Sequence, residues 1–368
     1  MLEKGKGGIQ KQPISRGIVL KLSGDPQYNN STTMQTNAIR HVTILGTGHA
    51  VPSQIIASSA LDQRLRLPAG TIQQAGGVSQ RHFAAAHETA AQFAAQACQR
   101  ALSAANFAMN DMDCLIAASG TMDQGMPCNA ALIHRELGLN ATIPAFDINM
   151  SCLGFLAALD TLSWLVVAGR YRRVLIVAAD IASCGLNWQA LEASAIFGDG
   201  AAAAVLGASP QGSHSRILAS ELLTISEGAA LCQIPAGGSR FHPSRIDQPF
   251  DPLTLFQMDG KRVFKLASQY LPDFLERLLH SAGLTREQID WVVPHQASHL
   301  ALSHLSKRLG FPSEKVINIF ANYGNQIAAS LPTALDVAVR DGRIQRGQKL
   351  LLLGTGAGLS LGGMVLEY

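Results

Sequence analysis

The chain has 368 residues, 47% of them hydrophobic and 15% charged, with a net charge of +3. So apolar a composition excludes a disordered chain and supplies a large buried core. The mild charge offers no concentrated basic face, so nucleic-acid binding is not expected.

Residues 1–38 carry Gly, Lys, Ser, Thr and Asn with little periodicity. They hold no signal-peptide apolar core and no run of membrane-spanning length. They read as a disordered tail, or as a start assigned upstream of one at Met34. The folded part begins at a strand over 41–45 and divides into halves at 39–210 and 211–368.

The two halves repeat one pattern. In the first, the strand Asp113-Cys-Leu-Ile-Ala-Ala leads to a helical run ending at Gly138, then to Ala145-Phe-Asp-Ile and Cys152. A helix through Asp160, then Gly169-Arg170 and a strand over 174–178 complete it. In the second, Asp290-Trp-Val-Val-Pro-His295 leads to a helical run ending at Gly310, then to Val316-Ile-Asn-Ile and Asn325. A helix through Asp336, then Gly342-Arg343 and a strand over 350–353 complete that half. Cys152 stands as far before Gly169 as Asn325 stands before Gly342. The strands are continuous apolar runs, as expected where both faces are covered. The helix over 155–168 is apolar almost all round, which predicts a central, buried position. Two α/β halves in the same order predict a pseudo-twofold molecule of stacked layers. Cys152 and Asn325 then meet near the pseudo-axis.

Six cysteines, at 98, 114, 128, 152, 184 and 232, show no C-x-x-C spacing, and no disulfide framework is expected. Five of them read as small buried hydrophobes. Cys152 differs, because it falls where a strand ends and a helix begins. A helix N-terminus favours thiolate, and a thiolate there can attack a thioester. His295 falls at the carboxyl end of a strand, where ligands gather in α/β sheets. The run His295, His299, His304 lacks the glutamate of H-E-x-x-H and a third ligand, so no metal is expected. Asn325, in a Gly-Asn turn pair, stands out through the repeat that sets it opposite Cys152. The loop 354–358, Gly-Thr-Gly-Ala-Gly, fits no phosphate loop. It reads as backbone close to a reacting group, with N–H groups for an oxyanion.

Several motifs carry a family resemblance from about His41 to Tyr368. They include Gly46-Thr-Gly-His-Ala-Val-Pro52, Gln80-Arg-His-Phe83, Phe146-Asp-Ile-Asn-Met-Ser-Cys152-Leu-Gly-Phe155, Phe197-Gly-Asp-Gly200, Val293-Pro-His295-Gln-Ala297, Gly324-Asn325 and Val339-Arg-Asp-Gly-Arg-Ile344. In these the chain resembles 3-oxoacyl-(acyl-carrier-protein) synthase III, the initiating condensing enzyme of type II fatty acid synthesis. The resemblance implies an α/β thiolase-like fold of five αβαβα layers built from two duplicated halves. It also implies a cytoplasmic homodimer with no cofactor and no membrane association. Cys152 would take an acyl group from a primer on coenzyme A or acyl carrier protein. Malonyl-acyl carrier protein would then lose carbon dioxide, with His295 and Asn325 donating hydrogen bonds to the enolate. Backbone N–H groups of Cys152, Gly356 and Gly358 would hold the oxyanion, and Met126 and Phe197 would bound the acyl pocket. Lys261, Arg262, Lys265, Lys307 and Arg308 would dock the acidic carrier protein.

The chain departs from the family pattern at the primer entrance. The tryptophan and arginine that hold the adenine of coenzyme A are missing from 68–75, Pro-Ala-Gly-Thr-Ile-Gln-Gln-Ala. Where a second arginine is expected, Leu191 and Glu192 stand. Met126 replaces an aromatic that reaches across the dimer. These departures suit a primer delivered on a carrier protein, or a specialised acyl group held mainly by its own chain, as in secondary metabolism. The resemblance also leaves ester, amide or quinolone formation as alternatives, since relatives with the same Cys-His-Asn set carry them out. A thioester hydrolase is a further alternative.

Overall fold

The computed structural model describes residues 39–138 and 143–368. The expectation for 1–38 lies outside the described residues.

The first sheet is built from β1 (Val42–Ala50), β2 (Cys114–Ala117), β3 (Ala145–Asp147), β4 (Arg173–Asp180) and β5 (Gly200–Ala208), in the order β1-β5-β4-β2-β3. The second contains β6 (Arg216–Thr224), β7 (Trp291–Pro294), β8 (Lys349–Gly356) and β9 (Ser360–Glu367), in the order β7-β8-β9-β6. The repeat seen in the sequence is a repeat of topology. In the first sheet β2 pairs β4 in parallel, and β5 then pairs both β4 and β1 antiparallel. In the second, β7 pairs β8 in parallel, and β9 then pairs both β8 and β6 antiparallel. Even the short parallel contact of β2 with β3 has its counterpart, the bridge between Val292 and Val316.

Strand periodicity sorts the core into layers. On β4, Val174, Ile176 and Ala178 face inward, and Leu175, Val177 and Ala179 face the opposite way. On β8, Leu350 and Leu352 join the same inner core, and Leu351 and Leu353 the outer one. Between the sheets lie the helices Gly154–Val167 and Ser330–Arg340, through Leu156, Leu159, Leu162, Leu331 and Leu335. The outer face of the first sheet is covered by the helix Ala90–Ala105, which a Thr89–Gln92 capping box starts. The outer face of the second is covered by Gly260–Ala282, which Asp259 caps. This gives five layers, helix–sheet–helix–sheet–helix.

The central helix 154–167 is less enclosed than its composition predicts. Trp164 is 43% and Val167 50% exposed, both in its last turn. Among the described residues, no helix is long and apolar enough to cross a membrane.

Candidate active site

Cys152 sits in a tight turn between β3 and the first central helix. Ser151 adopts a left-handed φ of 52°, and the N–H groups of Leu153 and Gly154 donate to the carbonyls of Met150 and Ser151. A non-glycine residue in that region costs about 1–3 kcal/mol unless its surroundings impose it. The imposed turn leaves Cys152 partly accessible.

The thiol differs from expectation. Burial pushes it up to about 11, and the nearby Asp180 carboxylate pushes in the same direction. The opposing hydrogen bonds come from the Ala357 N–H, the Ser151 side chain and the N–H of Cys152 itself. Leu153 is the helix N-cap, and the donors that reach the sulfur lie outside the first helical turn. In the loop 354–358 the N–H that meets the sulfur is thus that of Ala357, between Gly356 and Gly358.

His295 follows the last residue of β7, and its N–H donates to the Leu353 carbonyl at 2.8 Å. A Cβ added at Gly354 would stand 2.8 Å from His295 Cβ and 3.0 Å from Leu153 Cδ2. His295 and the residue after Cys152 therefore meet across that glycine. His295 is buried, and burial pushes its imidazole down to about 4, so the ring is neutral at pH 7. Its Nδ1 has no partner among the described residues. His299 is exposed and His304 packs on Phe264, so the three histidines of the run occupy three different settings.

Asn325 is fixed from both ends. Its Oδ1 accepts from the Ile327 N–H at 2.8 Å and the Ser330 hydroxyl at 3.4 Å. Its Nδ2 donates to the Ala297 carbonyl at 3.2 Å, which leaves the second amide hydrogen for a ligand. Ala297 in turn donates to the His295 carbonyl, so both polar side chains hang on one short turn. The buried Gln296 pins that turn by donating to the Pro294 and Ile317 carbonyls and accepting from the Ile319 N–H. On the other side, a Cβ at Gly120 would lie 2.6 Å from Ile327 Cγ2 and 3.4 Å from the Ser151 carbonyl carbon. The Asn325 turn thus abuts the Cys152 turn.

Asp180 joins the halves, a role that no motif in the sequence marks. Its carboxylate accepts from the N–H groups of Gly120 and Thr121 and the Thr121 hydroxyl in one half. It also accepts from the N–H groups of Ala328 and Ala329 in the other. Burial raises its pKa to about 6 against these five donors. Its signal in the sequence is an acid closing the apolar run 174–179.

The remaining expected residues divide. Phe197 is buried and bridges Asn325 by backbone, and its ring meets Phe256 edge-on at 4.9 Å. Arg81 donates to the Ala195 carbonyl and the Ser58 hydroxyl, which fixes the segment before Phe197. Its complete burial lowers its pKa to about 10. Cys232, opposite Met258 in a short antiparallel strand pair, stands near enough to Cys152 to feel its charge, and burial pushes it up to about 12. Met126 is 85% exposed. Lys261, Arg262 and Lys265, on the helix Gly260–Ala282, and Lys307 and Arg308, on the helix His299–Leu309, are all exposed. The two helices meet where the Phe264 and His304 rings stack edge-on at 4.9 Å. Among the described residues none of these five cations has an ion-pair partner.

Comparison with known proteins gives consistent results. Residues 146–226 match the family model described as 3-Oxoacyl-[acyl-carrier-protein (ACP)] synthase III, and residues 279–368 match the model of its C terminal. A beta-ketoacyl-[acyl-carrier-protein] synthase III of Neisseria gonorrhoeae (strain NCCP11945) is 35% identical over 336 residues, covering 90% of this chain and 100% of that protein. The crystal structure of the 3-oxoacyl-[acyl-carrier-protein] synthase III of Aquifex aeolicus VF5 superposes with a TM-score of 0.79 at 29% identity, covering 89% and 100% of the two chains. The corresponding enzyme of Thermus thermophilus gives 0.79 at 31% identity, covering 88% and 98%.

Proposed function

Given that the chain belongs to the 3-oxoacyl-[acyl-carrier-protein] synthase III family, we propose that it condenses an acyl primer with malonyl-acyl carrier protein to a 3-oxoacyl product. The observation that carries the mechanism is a neutral His295 and a half-used Asn325 amide on the turn that faces Cys152.

In the first half-reaction the Cys152 sulfur attacks the carbonyl carbon of the primer thioester. The new S–C bond leaves a negative oxygen, for which the N–H groups of Cys152 and Ala357 are the nearest donors to the sulfur. The old C–S bond breaks, and the departing thiol carries the proton. A thiol pushed up to about 11 is mostly protonated at pH 7, so attack draws on a small thiolate fraction or loses its proton as the bond forms.

In the second half-reaction the malonyl group loses carbon dioxide, and its electrons move onto the thioester oxygen. A neutral imidazole offers one N–H, and Asn325 Nδ2 offers its unused hydrogen. Both are strongest where charge develops, so they favour the enolate over the ground-state thioester. The enolate carbon then attacks acyl-Cys152, a C–C bond replaces the C–S bond, and the sulfur regains its proton.

The partner of this chemistry is acyl carrier protein. The unpaired basic surface of Lys261, Arg262, Lys265, Lys307 and Arg308 supports its docking there. The exposed Met126 supports a homodimer in which that loop is covered by the second subunit. We also place the enzyme in the cytoplasm, where its thioester substrates are made. The helix Thr71–Gly76 has no cation or aromatic, and Glu192 adds a negative charge at the entrance. Both favour a primer carried on protein over coenzyme A.

The test is a two-stage assay. Primer is added first and Cys152 is weighed by mass spectrometry. Malonyl carrier protein follows, with carbon dioxide and product measured. An acyl-Cys152 species and a 3-oxoacyl product are expected. Free acid with no carbon dioxide would make the protein a hydrolase and overturn the proposal.

A further inference from the structure

The segment that leads into the Asn325 turn carries a polar cluster with no part in the steps above. Tyr323 ends the four-residue helix Phe320–Tyr323 and precedes Gly324 and Asn325. Its ring lies 5.9 Å from that of His49, nearly perpendicular, and 6.3 Å from that of His82. Neither histidine is loose. His49 Nδ1 donates to Asp336 Oδ2 at 2.5 Å, and Asp336 also accepts from the Thr47 hydroxyl at 2.7 Å and from Arg340 Nε at 2.8 Å. His82 Nδ1 donates to the Pro52 carbonyl at 2.9 Å. Asp336 is fully buried; burial alone would raise its pKa, but the hydrogen bonds from His49, Thr47 and Arg340 outweigh it and hold the carboxyl below its ordinary range. Tyr323 is shifted the other way, by burial first and the Asp336 charge second.

We propose that Tyr323, clasped between the His49–Asp336 pair and His82, is a positioning residue that sets Asn325 for the decarboxylating half-reaction. The inference rests on the role given to Asn325 above.

The backbone explains why the clasp matters. Gly324 has φ 68° and ψ −163°, a conformation open in practice to glycine alone, so this joint has little stiffness of its own. The Tyr323 carbonyl packs so tightly on the neighbouring segment that a Cβ at Gly198 would come within 2.2 Å of it. Beyond Gly324, the Asn325 N–H donates to the Ile196 carbonyl and its own carbonyl accepts from Gly198. The amide plane of Asn325 is oriented by Ile327, Ser330 and Ala297, but the depth at which the turn sits depends on what holds Tyr323. A donor displaced by about 1 Å can cost on the order of a hundredfold in rate. Cys152 is reached by a different turn, so its acylation does not depend on this depth.

Tyr323→Ala, Tyr323→Phe and His49→Ala test the idea, with Asn325→Ala as reference. The readouts are acylation of Cys152 by primer and carbon dioxide release from malonyl carrier protein. Tyr323→Ala and His49→Ala should each slow carbon dioxide release by roughly ten- to a hundredfold. Acylation should stay within about threefold of the parent, a readout that also reports an intact fold. Tyr323→Phe should restore the rate, because the clasp holds the ring. The proposal fails if decarboxylation is unchanged in both alanine variants, or if acylation and decarboxylation fall together in both. If Asn325→Ala itself left decarboxylation intact, the mechanism above would fail first. If it slowed the reaction while the Tyr323 and His49 variants did not, only the positioning role would be lost.

Discussion

Replacing Asn325 with aspartate changes one atom and reverses its electrostatics. The new carboxylate can still accept from the Ile327 N–H and the Ser330 hydroxyl, which Oδ1 does now at 2.8 and 3.4 Å. The other oxygen, however, would face the Ala297 carbonyl at the present 3.2 Å and the enolate oxygen, two acceptors in place of two partners. Loss of one donor to a developing oxyanion costs about 2.7–4 kcal/mol, a factor of roughly a hundred to a thousand. A negative charge about 4 Å from another adds roughly 4 kcal/mol at an effective dielectric of 20. The sum is on the order of a hundred-thousandfold in decarboxylation at pH 8. Asn325→Ala should lose only the first factor, so the near-isosteric change should be the more damaging. The pH dependence distinguishes the two further. Burial raises a carboxyl pKa, and its protonated form carries an O–H that can donate. The Asn325→Asp enzyme should therefore recover as pH falls from 8 towards 5, relative to Asn325→Ala at each pH. The assay is carbon dioxide release from malonyl carrier protein, with Cys152 acylation followed separately. Decarboxylation by Asn325→Asp within tenfold of the parent at pH 8 would refute the donor role, as would an equal loss in acylation.

Alkylation of Cys152 by iodoacetamide should rise with pH without a plateau below about pH 10, because burial pushes the thiol up to about 11; a plateau near pH 7 would restore the dipole-stabilised thiolate. Cys152→Ala should abolish the acyl-enzyme, and a stable acyl group on Cys232 would reassign the nucleophile. Charge reversal at Lys265 and Arg308 should raise KM for carrier protein, more so at low salt, and leave acylation by a small thioester unchanged; unaltered carrier kinetics would remove both from the docking surface. Acetyl-coenzyme A should acylate Cys152 tens to hundreds of times less efficiently than a carrier-bound primer, since a missing stacked contact is worth roughly 1–3 kcal/mol; efficient use of micromolar acetyl-coenzyme A would return the enzyme to ordinary initiation.

The sequence alone determined the two-half architecture, and it did so through local patterning. Continuous apolar runs at 114–118, 174–179, 291–294 and 350–353 are strands buried on both faces, and each lies within or alongside a strand of the two sheets. The equal spacing after Cys152 and Asn325 identified equivalent points of the two halves, because a duplicated chain keeps its topology. What the sequence could not supply were contacts between segments far apart along the chain. Asp180 meets Ala328 across 148 positions, and nothing near either residue marks the pairing. The loop at 354–358 was legible as close-packed backbone, but which N–H points at the sulfur depends on the turn taken between β8 and β9. Residue type and helix position argued for an acidic thiol. The surroundings decide otherwise, because the burial around the sulfur and the Asp180 charge are properties of the packed interior. The clasp on Tyr323 is of the same kind: His49, His82 and Asp336 come from three separate elements, and only the folded chain sets them around one ring.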